Sequence, residues 1–301
     1  MEIPYKFDVI IIGGSFAGLS AAMSLGRALR KVLVLDGGKP CNRQAPHSHN
    51  FITHDGKPPH QIAQLARAQV EQYSSVHFYE GVAASGAKTT AGFEIKTAAG
   101  DEFLTRKLIF ASGLKDLMPD IQGFAACWGT SVIHCPYCHG YEVRSQPTAI
   151  LGNGDTAYHY AQLLFNWTKD LTILTNGAPD FTEAQTEKFR KNNIRVIEKE
   201  IAYLQEEQGQ LQQVAFKDAS GFAVKVMYAR PAFEQNSNIP AALGCELTQQ
   251  GLLKVSELQE TTTGGVYACG DASNMRAVSV AVASGTMAGA AASNAFTLEE
   301  F

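Results

Sequence analysis

Twice along this chain a short apolar run stops at a glycine-rich turn and gives way to helical spacing. That arrangement commits a chain to parallel sheet layered with helices. The first run is Asp8-Val-Ile-Ile-Ile-Gly13-Gly14-Ser15-Phe16-Ala17-Gly18, and its spacing predicts a helix to about residue 29 and a second strand over 31–36. An acid, Asp36, closes that strand 23 residues after Gly13. In a dinucleotide-binding turn each position has a task. Gly13 permits the tight turn, Gly18 lets helix and sheet approach, and the helix N-terminus faces the pyrophosphate. Asp36, followed by Gly37, stands where a carboxylate accepts from ribose hydroxyls. Ser15 replaces the middle glycine of G-x-G-x-x-G, and its Cβ crowds the phosphate but is small enough to be tolerated.

The second run, Thr148-Ala-Ile-Leu-Gly152-Asn153-Gly154-Asp155-Thr156-Ala157, keeps G-x-G-x-x-A intact at Gly152, Gly154 and Ala157. A helix to about residue 166 and a strand over 171–175 are predicted next. After that strand comes Thr175-Asn176-Gly177-Ala178-Pro179. It has neither the acid expected for NAD nor the arginines expected for the 2′-phosphate of NADP. The unit reads as a possible nicotinamide site at Gly152, Gly154 and Ala157 without its selectivity element, with Lys188 and Arg190 the nearest basic residues downstream.

The 301 residues suit two domains, and 45% hydrophobic with 18% charged residues is ordinary for a globular protein. A net charge of −4 argues against a nucleic-acid partner. Nothing reaches the roughly 18 consecutive apolar residues of a membrane span. The small-residue stretch 277–296 is expected to pack tightly inside the protein instead. The opening MEIPYKFDVIIIGG shows no export signal, so a cytoplasmic protein whose cysteines are mostly thiols is expected.

His134-Cys135-Pro-Tyr-Cys138-His139 satisfies several signatures. C-x-x-C suits dithiol redox chemistry, C-x-x-C-H suits haem attachment, and Cys/His clusters bind zinc. A pair of inert thiols is the bland alternative. Haem attachment needs an oxidising compartment, and the other motifs here bind nucleotides. Zinc needs four ligands in tetrahedral geometry, no second cysteine pair stands at a matching spacing, and no metal is expected. A redox pair fits best, with a helical turn lowering a thiol pKa and His139, less surely His134, moving the proton. Cys41, Cys127, Cys245 and Cys269 read as ordinary thiols.

Further on, Gly264-Gly265-Val-Tyr-Ala-Cys-Gly270-Asp271 ends a short strand before a long small-residue helix, and Ala111-Ser112-Gly113 ends another. With these the chain resembles, over nearly its whole length, the low-molecular-weight thioredoxin reductase family. The resemblance implies an α/β fold of two Rossmann-like (three-layer ββα) nucleotide-binding domains, the second inserted into the first. It implies an FAD-binding domain at 1–115 and 231–301 and, between them at 116–230, a nicotinamide-type domain carrying the C-x-x-C. FAD is the implied cofactor, held at Gly13 to Gly18, Asp36, Gly37, Ala111, Ser112, Gly113, Gly270 and Asp271, with Asp271 reaching the ribityl chain. A homodimer is usual. Cys138 would be the flavin-proximal sulfur and Cys135 the one exposed to substrate.

Cys-Pro-Tyr-Cys-His-Gly-Tyr-Glu further resembles the gliotoxin- and holomycin-type dithiol oxidases and their bacterial relatives. In these the loop after Asp36 lies by the flavin, which makes Arg43, His47 and His49 candidates for cofactor or active-site contacts. Typical thioredoxin reductases have Asp at the place of His139, a basic motif at 175–177, and Gln where Ala277 follows Arg276. These departures bear on NADP(H) and on thioredoxin as substrate, not on the flavin. The expected activity is transfer of two electrons between FAD and a thioredoxin-like protein disulfide or a small-molecule dithiol through Cys135 and Cys138. The variants are an oxygen-using dithiol oxidase and, from another class, a flavin redox sensor without turnover.

Overall fold

A computed structural model describes residues 7–301. Residues 1–6 of the expected first FAD-binding segment lie outside the described residues. The chain divides into two compact units, one of residues 7–43, Asn50–Lys115 and Phe233–Phe301, the other of Gln44–His49 and Asp116–Ala232. Residues 44–49, expected within the first part, group instead with the second unit. Each unit is Rossmann-like, and the second is inserted into the chain of the first.

The first unit starts with β1 (Phe7–Ile12), α1 (Phe16–Arg27), β2 (Val32–Asp36), α2 (Pro59–Val70) and β3 (Val76–Glu80). A meander follows: β4 (Ala83–Thr89), β5 (Gly92–Thr97) and β6 (Glu102–Phe110). The sheet order is β3-β2-β1-β6-β5-β4, with β1 parallel to both β2 and β6 and β5 antiparallel to β6. Because side chains alternate across a strand, an unbroken apolar run fills two cores at once. Val9 and Ile11 enter one core with Val32, Val34 and Ile109. Ile10 and Ile12 enter the other with Leu33, Leu35 and Phe110. The predicted α1 ends two residues early. Leu29 takes φ +61°, a left-handed backbone that an α-helix cannot continue through.

The chain leaves this unit through β7 (Leu114–Leu117). The second unit then comprises α3 (Phe124–Cys127), β8 (Val132–Ile133), α4 (Pro136–His139), β9 (Thr148–Leu151), α5 (Gly154–Leu164), β10 (Leu171–Leu174), α6 (Glu183–Lys191) and β11 (Arg195–Ile197). It ends with the meander β12 (Ile201–Glu207), β13 (Gln210–Phe216) and β14 (Gly221–Ala223), and then β15 (Val226–Ala229). Its parallel sheet runs β11-β10-β9-β15-β8. Strand β9 again divides its residues, Ala149 joining Val132 and Met227 in one core and Ile150 joining Ile133 and Tyr228 in the other.

The return passes through β16 (Ala232–Gln235), paired with β7, α7 (Ile239–Ala242) and β17 (Val266–Ala268). β17 lies parallel to the end of β6. A 3-10 turn, Gly270–Ala272, leads to α8 (Val278–Glu300). The small residues of α8 act as expected. Ala281, Ser284, Gly285, Ala288, Gly289, Ala292 and Phe296 form one buried stripe. Ser20 of α1 donates its hydroxyl to Val282 O at 2.8 Å across the contact. At the far end Arg30, Arg106 and Lys107 sit over the Phe296 ring at 4.8, 4.3 and 4.6 Å, and Arg106 reaches Glu300 at 2.6 Å. Among the described residues no helix is long and apolar enough to cross a membrane.

Candidate functional site

In the first unit the carboxyl ends of β1, β6 and β17 bring three turns together, the place where open α/β sheets bind ligands. Gly13 donates to Leu35 O at 2.8 Å and holds φ +107°. A Cβ there would strike Ala111 O, so the two turns touch only because position 13 is glycine. Gly270, at φ +65°, lies where its Cβ would come within 2.8 Å of Ala17. Phe16, Ala17 and Gly18 are buried, which leaves Gly13, Gly14 and Ser15 with partly exposed surface for a ligand. Ser15 caps α1 with an extended backbone, and its hydroxyl makes no cap hydrogen bond.

Asp36 uses one oxygen to accept from Gly38 N at 3.1 Å. Arg43 is exposed and donates to Pro40 O at 3.2 Å. Cys41, read from sequence as an ordinary thiol, donates its S–H to Asp271 Oδ2 at 3.4 Å. Pattern reasoning missed this contact because it joins residues 230 apart. Two polar atoms here are buried without a hydrogen-bond partner among the described residues, Ser112 Oγ and Gln235 Oε1. Native chains satisfy nearly all such atoms. A cradle of close-approach glycines, a half-used carboxylate at Asp36 and orphaned polar atoms fits the ribose, ribityl and pyrophosphate groups of FAD.

In the second unit Cys135 and Cys138 form a disulfide. They sit at either end of the single turn α4, where Cys135 is the extended N-cap and accepts at its carbonyl from Cys138 N and His139 N, both at 3.2 Å. The helix expected to lower a thiol pKa is thus only four residues long, and little macrodipole is available from it. Tyr137, between the cysteines, is 64% exposed and stands edge-on to Trp167 at 5.5 Å. His134 stacks on Trp128 at 5.7 Å, and its carbonyl accepts from Tyr160 at 2.8 Å.

His49, brought in by residues 44–49, lies 3.6 Å from Glu142. His47 stands 6.3 Å from His49, ring to ring, and Gln44 donates to Ala125 O at 3.2 Å. Burial, and then the charge of His49, hold His139 below its ordinary value of 6.5, against the opposing pull of Glu142. His139 is therefore neutral at pH 7 and able to take a proton. If it is the base for dithiol attack, the acidic limb of the rate profile lies below pH 6.5, because the neutral form persists until that lowered pKa is crossed. His139→Asn should remove the limb and cost roughly 10²–10⁴-fold in kcat. Rates measured from pH 5 to 8 that keep the limb in this variant would exclude the role.

Two of the other thiols, Cys127 and Cys269, are buried and poorly placed to react, whereas Cys41 is exposed. Burial pushes Cys269 up to about 12 and raises Cys127. Among the described residues no group of three His, Cys, Asp or Glu could hold a metal ion.

The second glycine turn is braced by its own side chains. Asn153 Oδ1 accepts from Gly154 N at 2.9 Å and Asp180 N at 2.8 Å, and Asn153 Nδ2 donates to Ala178 O at 2.8 Å. The Asp180 carboxylate lies 3.5 Å from where a side chain on Gly154 would begin. Asp155 accepts from Gln185 at 2.7 Å. Thr175 bonds to Gly177 O at 2.6 Å, and Asn176 accepts from Ile201 N at 2.7 Å. Arg190 is exposed and paired with Glu187.

Two Rossmann-like units, one with a glycine-turn cradle that fits a nucleotide and the other carrying a disulfide on a single turn, are the arrangement of a flavin-dependent disulfide oxidoreductase. The pyridine nucleotide-disulphide oxidoreductase profile matches residues 7–285, and the chain belongs to that family. It is similar to thioredoxin reductase sirT of Leptosphaeria maculans, 32% identical over 95% of this chain and 93% of that one. It is also similar to thioredoxin reductase aclD of Aspergillus oryzae, 34% identical over 94% of each. Among solved structures, an oxidoreductase from Agrobacterium tumefaciens superposes with TM-score 0.91 at 35% identity over 97% of this chain and 99% of that one. HlmI superposes with TM-score 0.91 at 31% identity, over 98% and 93%. The chain is thus a thioredoxin reductase-like, FAD-dependent oxidoreductase acting on a sulfur group.

Proposed function

We propose that this enzyme oxidises a small-molecule dithiol through Cys135 and Cys138 and does not draw its electrons from NADPH or NADH. The observation that carries this reading is the self-bonded glycine turn of the second unit. Asn153 already satisfies the amides of Gly154 and Asp180, and the carboxylates of Asp155 and Asp180 would repel a pyrophosphate. In this reading the first unit is the FAD-binding domain, with Gly13, Gly14, Ser15, Asp36, Ser112, Gly270 and Asp271 holding the cofactor. The second is a nicotinamide-type domain whose Gly152, Gly154 and Ala157 have lost their ligand. Arg43, His47 and Gly37 are secondary cofactor candidates.

Cys135 meets the substrate, Cys138 is its leaving group, and His139 takes the proton. FAD, when bound, accepts the two electrons of the reduced pair, and dioxygen is the final acceptor that the resemblance implies. The exposed Tyr137 beside Trp167 favours a substrate with an apolar body. A homodimer completes this reading and rests on the resemblance alone.

The test is anaerobic stopped-flow at flavin wavelengths with NADPH, NADH and dithiothreitol in turn. Without a guanidinium for the 2′-phosphate, a charged contact worth about 1.5–3 kcal/mol is missing, roughly ten- to hundredfold in affinity. NADPH should therefore reduce the flavin slowly, with little advantage over NADH, and the dithiol should be faster. Fast reduction by micromolar NADPH would overturn the reading in favour of the second one, an NADPH-driven reductase of a thioredoxin-like protein. The names of the curated relatives favour that alternative.

A further inference from the structure

Three buried side-chain polar atoms lack a hydrogen-bond partner among the described residues: Ser112 Oγ, Gln235 Oε1 and Tyr228 OH. The first two belong to one junction of the first unit. Gln235, the last residue of β16, donates from Nε2 to Gly251 O and to Ala272 O, both at 2.9 Å. Two carbonyls facing one end of the amide settle which end is nitrogen, so Oε1 is a fixed acceptor. The next residue continues the stitching. Asn236 N donates to Gly113 O at 3.2 Å, and its Nδ2 donates to Ser112 O at 3.1 Å. Residues 235–236 thereby tie the turn Gly270–Ala272 to the turn 111–113.

A buried acceptor left without a donor costs more than a made hydrogen bond returns. An apolar side chain in place of Gln235 would remove that cost. A rigid orphan acceptor and an orphan hydroxyl at the junction of both cofactor turns call for a ligand that donates. FAD carries such donors in its ribityl hydroxyls and in the ring N3–H. No glycine fingerprint marks residue 235, so motif reading passes over it.

We propose that Gln235 is a flavin-binding residue whose Oε1 accepts a hydrogen bond from a donor of FAD, with Ser112 Oγ making the companion contact. The inference rests on the flavin reading of the first unit. It predicts a specific pairing, which a structural role for the same amide would not produce.

The experiment removes FAD and measures its rebinding by fluorescence quenching to wild type and to Gln235→Leu. The ligands are FAD, FAD methylated at N3, and FADs lacking one ribityl hydroxyl. The leucine variant should bind FAD roughly tenfold more weakly. One analogue, the one lacking the donor that Oε1 uses, should lose a similar factor on wild type and nothing further on the variant. That analogue identifies the ring or the ribityl chain as the source. An unchanged affinity for FAD in the variant overturns the proposal, as does an equal loss for FAD and every analogue. If the leucine variant does not fold, Gln235→Met, which keeps the length of the side chain but loses the acceptor, is read by the same comparison. Wild type that binds no FAD at all would instead remove the flavin reading itself.

Discussion

Replacing Cys135 or Cys138 with serine is expected to abolish dithiol turnover, by roughly 10³-fold or more, the scale on which removal of a covalent centre acts. A hydroxyl cannot form the sulfur–sulfur bond on which the proposed reaction depends. In that reaction a substrate thiolate attacks Cys135 Sγ, the bond to Cys138 breaks, and Cys138 leaves as a thiolate. The second substrate thiolate then attacks the substrate sulfur of the mixed disulfide, releasing Cys135 and the oxidised product. Two electrons have moved from substrate to the cysteine pair. The two variants should differ when offered the oxidised substrate. Cys138→Ser should hold it as a mixed disulfide on Cys135, visible as added mass, because no second thiol resolves it. Cys135→Ser should trap far less. The opposite pattern would reverse the assignment, and wild-type turnover in either variant would end the redox role of the pair.

Gly285→Leu should destabilise the first unit by about 3 kcal/mol or more, through overpacking of a site that cannot yield. A Cβ at residue 285 would run into the backbone carbonyl of Ala17, and at Gly289 it would come within 2.6 Å of Ala21 O. Helix α8 would have to leave α1. That movement reaches the cofactor turn, because Ser284 Oγ accepts from Gly270 N at 3.0 Å and Gly270 packs on Ala17. Calorimetry should show the melting temperature lowered by roughly 6–12 °C, with weaker retention of FAD. Gly264 has open space around its Cβ position, and Gly264→Ala should stay within about 0.5 kcal/mol of wild type. Equal stability of the two variants would show that the α1–α8 contact tolerates a side chain.

Much of this architecture is legible in local pattern. Each apolar run is long enough for one strand, and its alternation divides residues such as Val9 and Ile10 between two cores. The glycine turns follow the strands because close backbone approach requires them, as Gly13 against Ala111 shows. The small-residue stripe of α8 reads correctly as a tight contact, since residues three and four apart share a helix face. The cysteine pair needs only its own turn.

Other features join residues that no local period connects. The grouping of residues 44–49 with the second unit places His49 beside Glu142, nearly a hundred positions away by their numbering and far beyond any helical or strand repeat. Cys41 meets Asp271, Asn153 is bound by Asp180, and Gln235 joins Ala272 to the strand end at Ser112 through its neighbour. Composition, the strand–turn–helix units and glycine spacing were settled by the sequence, because backbone sterics and side-chain alternation act within a few residues. Only the tertiary structure decided that Asn153 braces the second glycine turn and which polar atoms stay unpaired, because those depend on which distant donors and acceptors the folded chain brings within hydrogen-bonding reach.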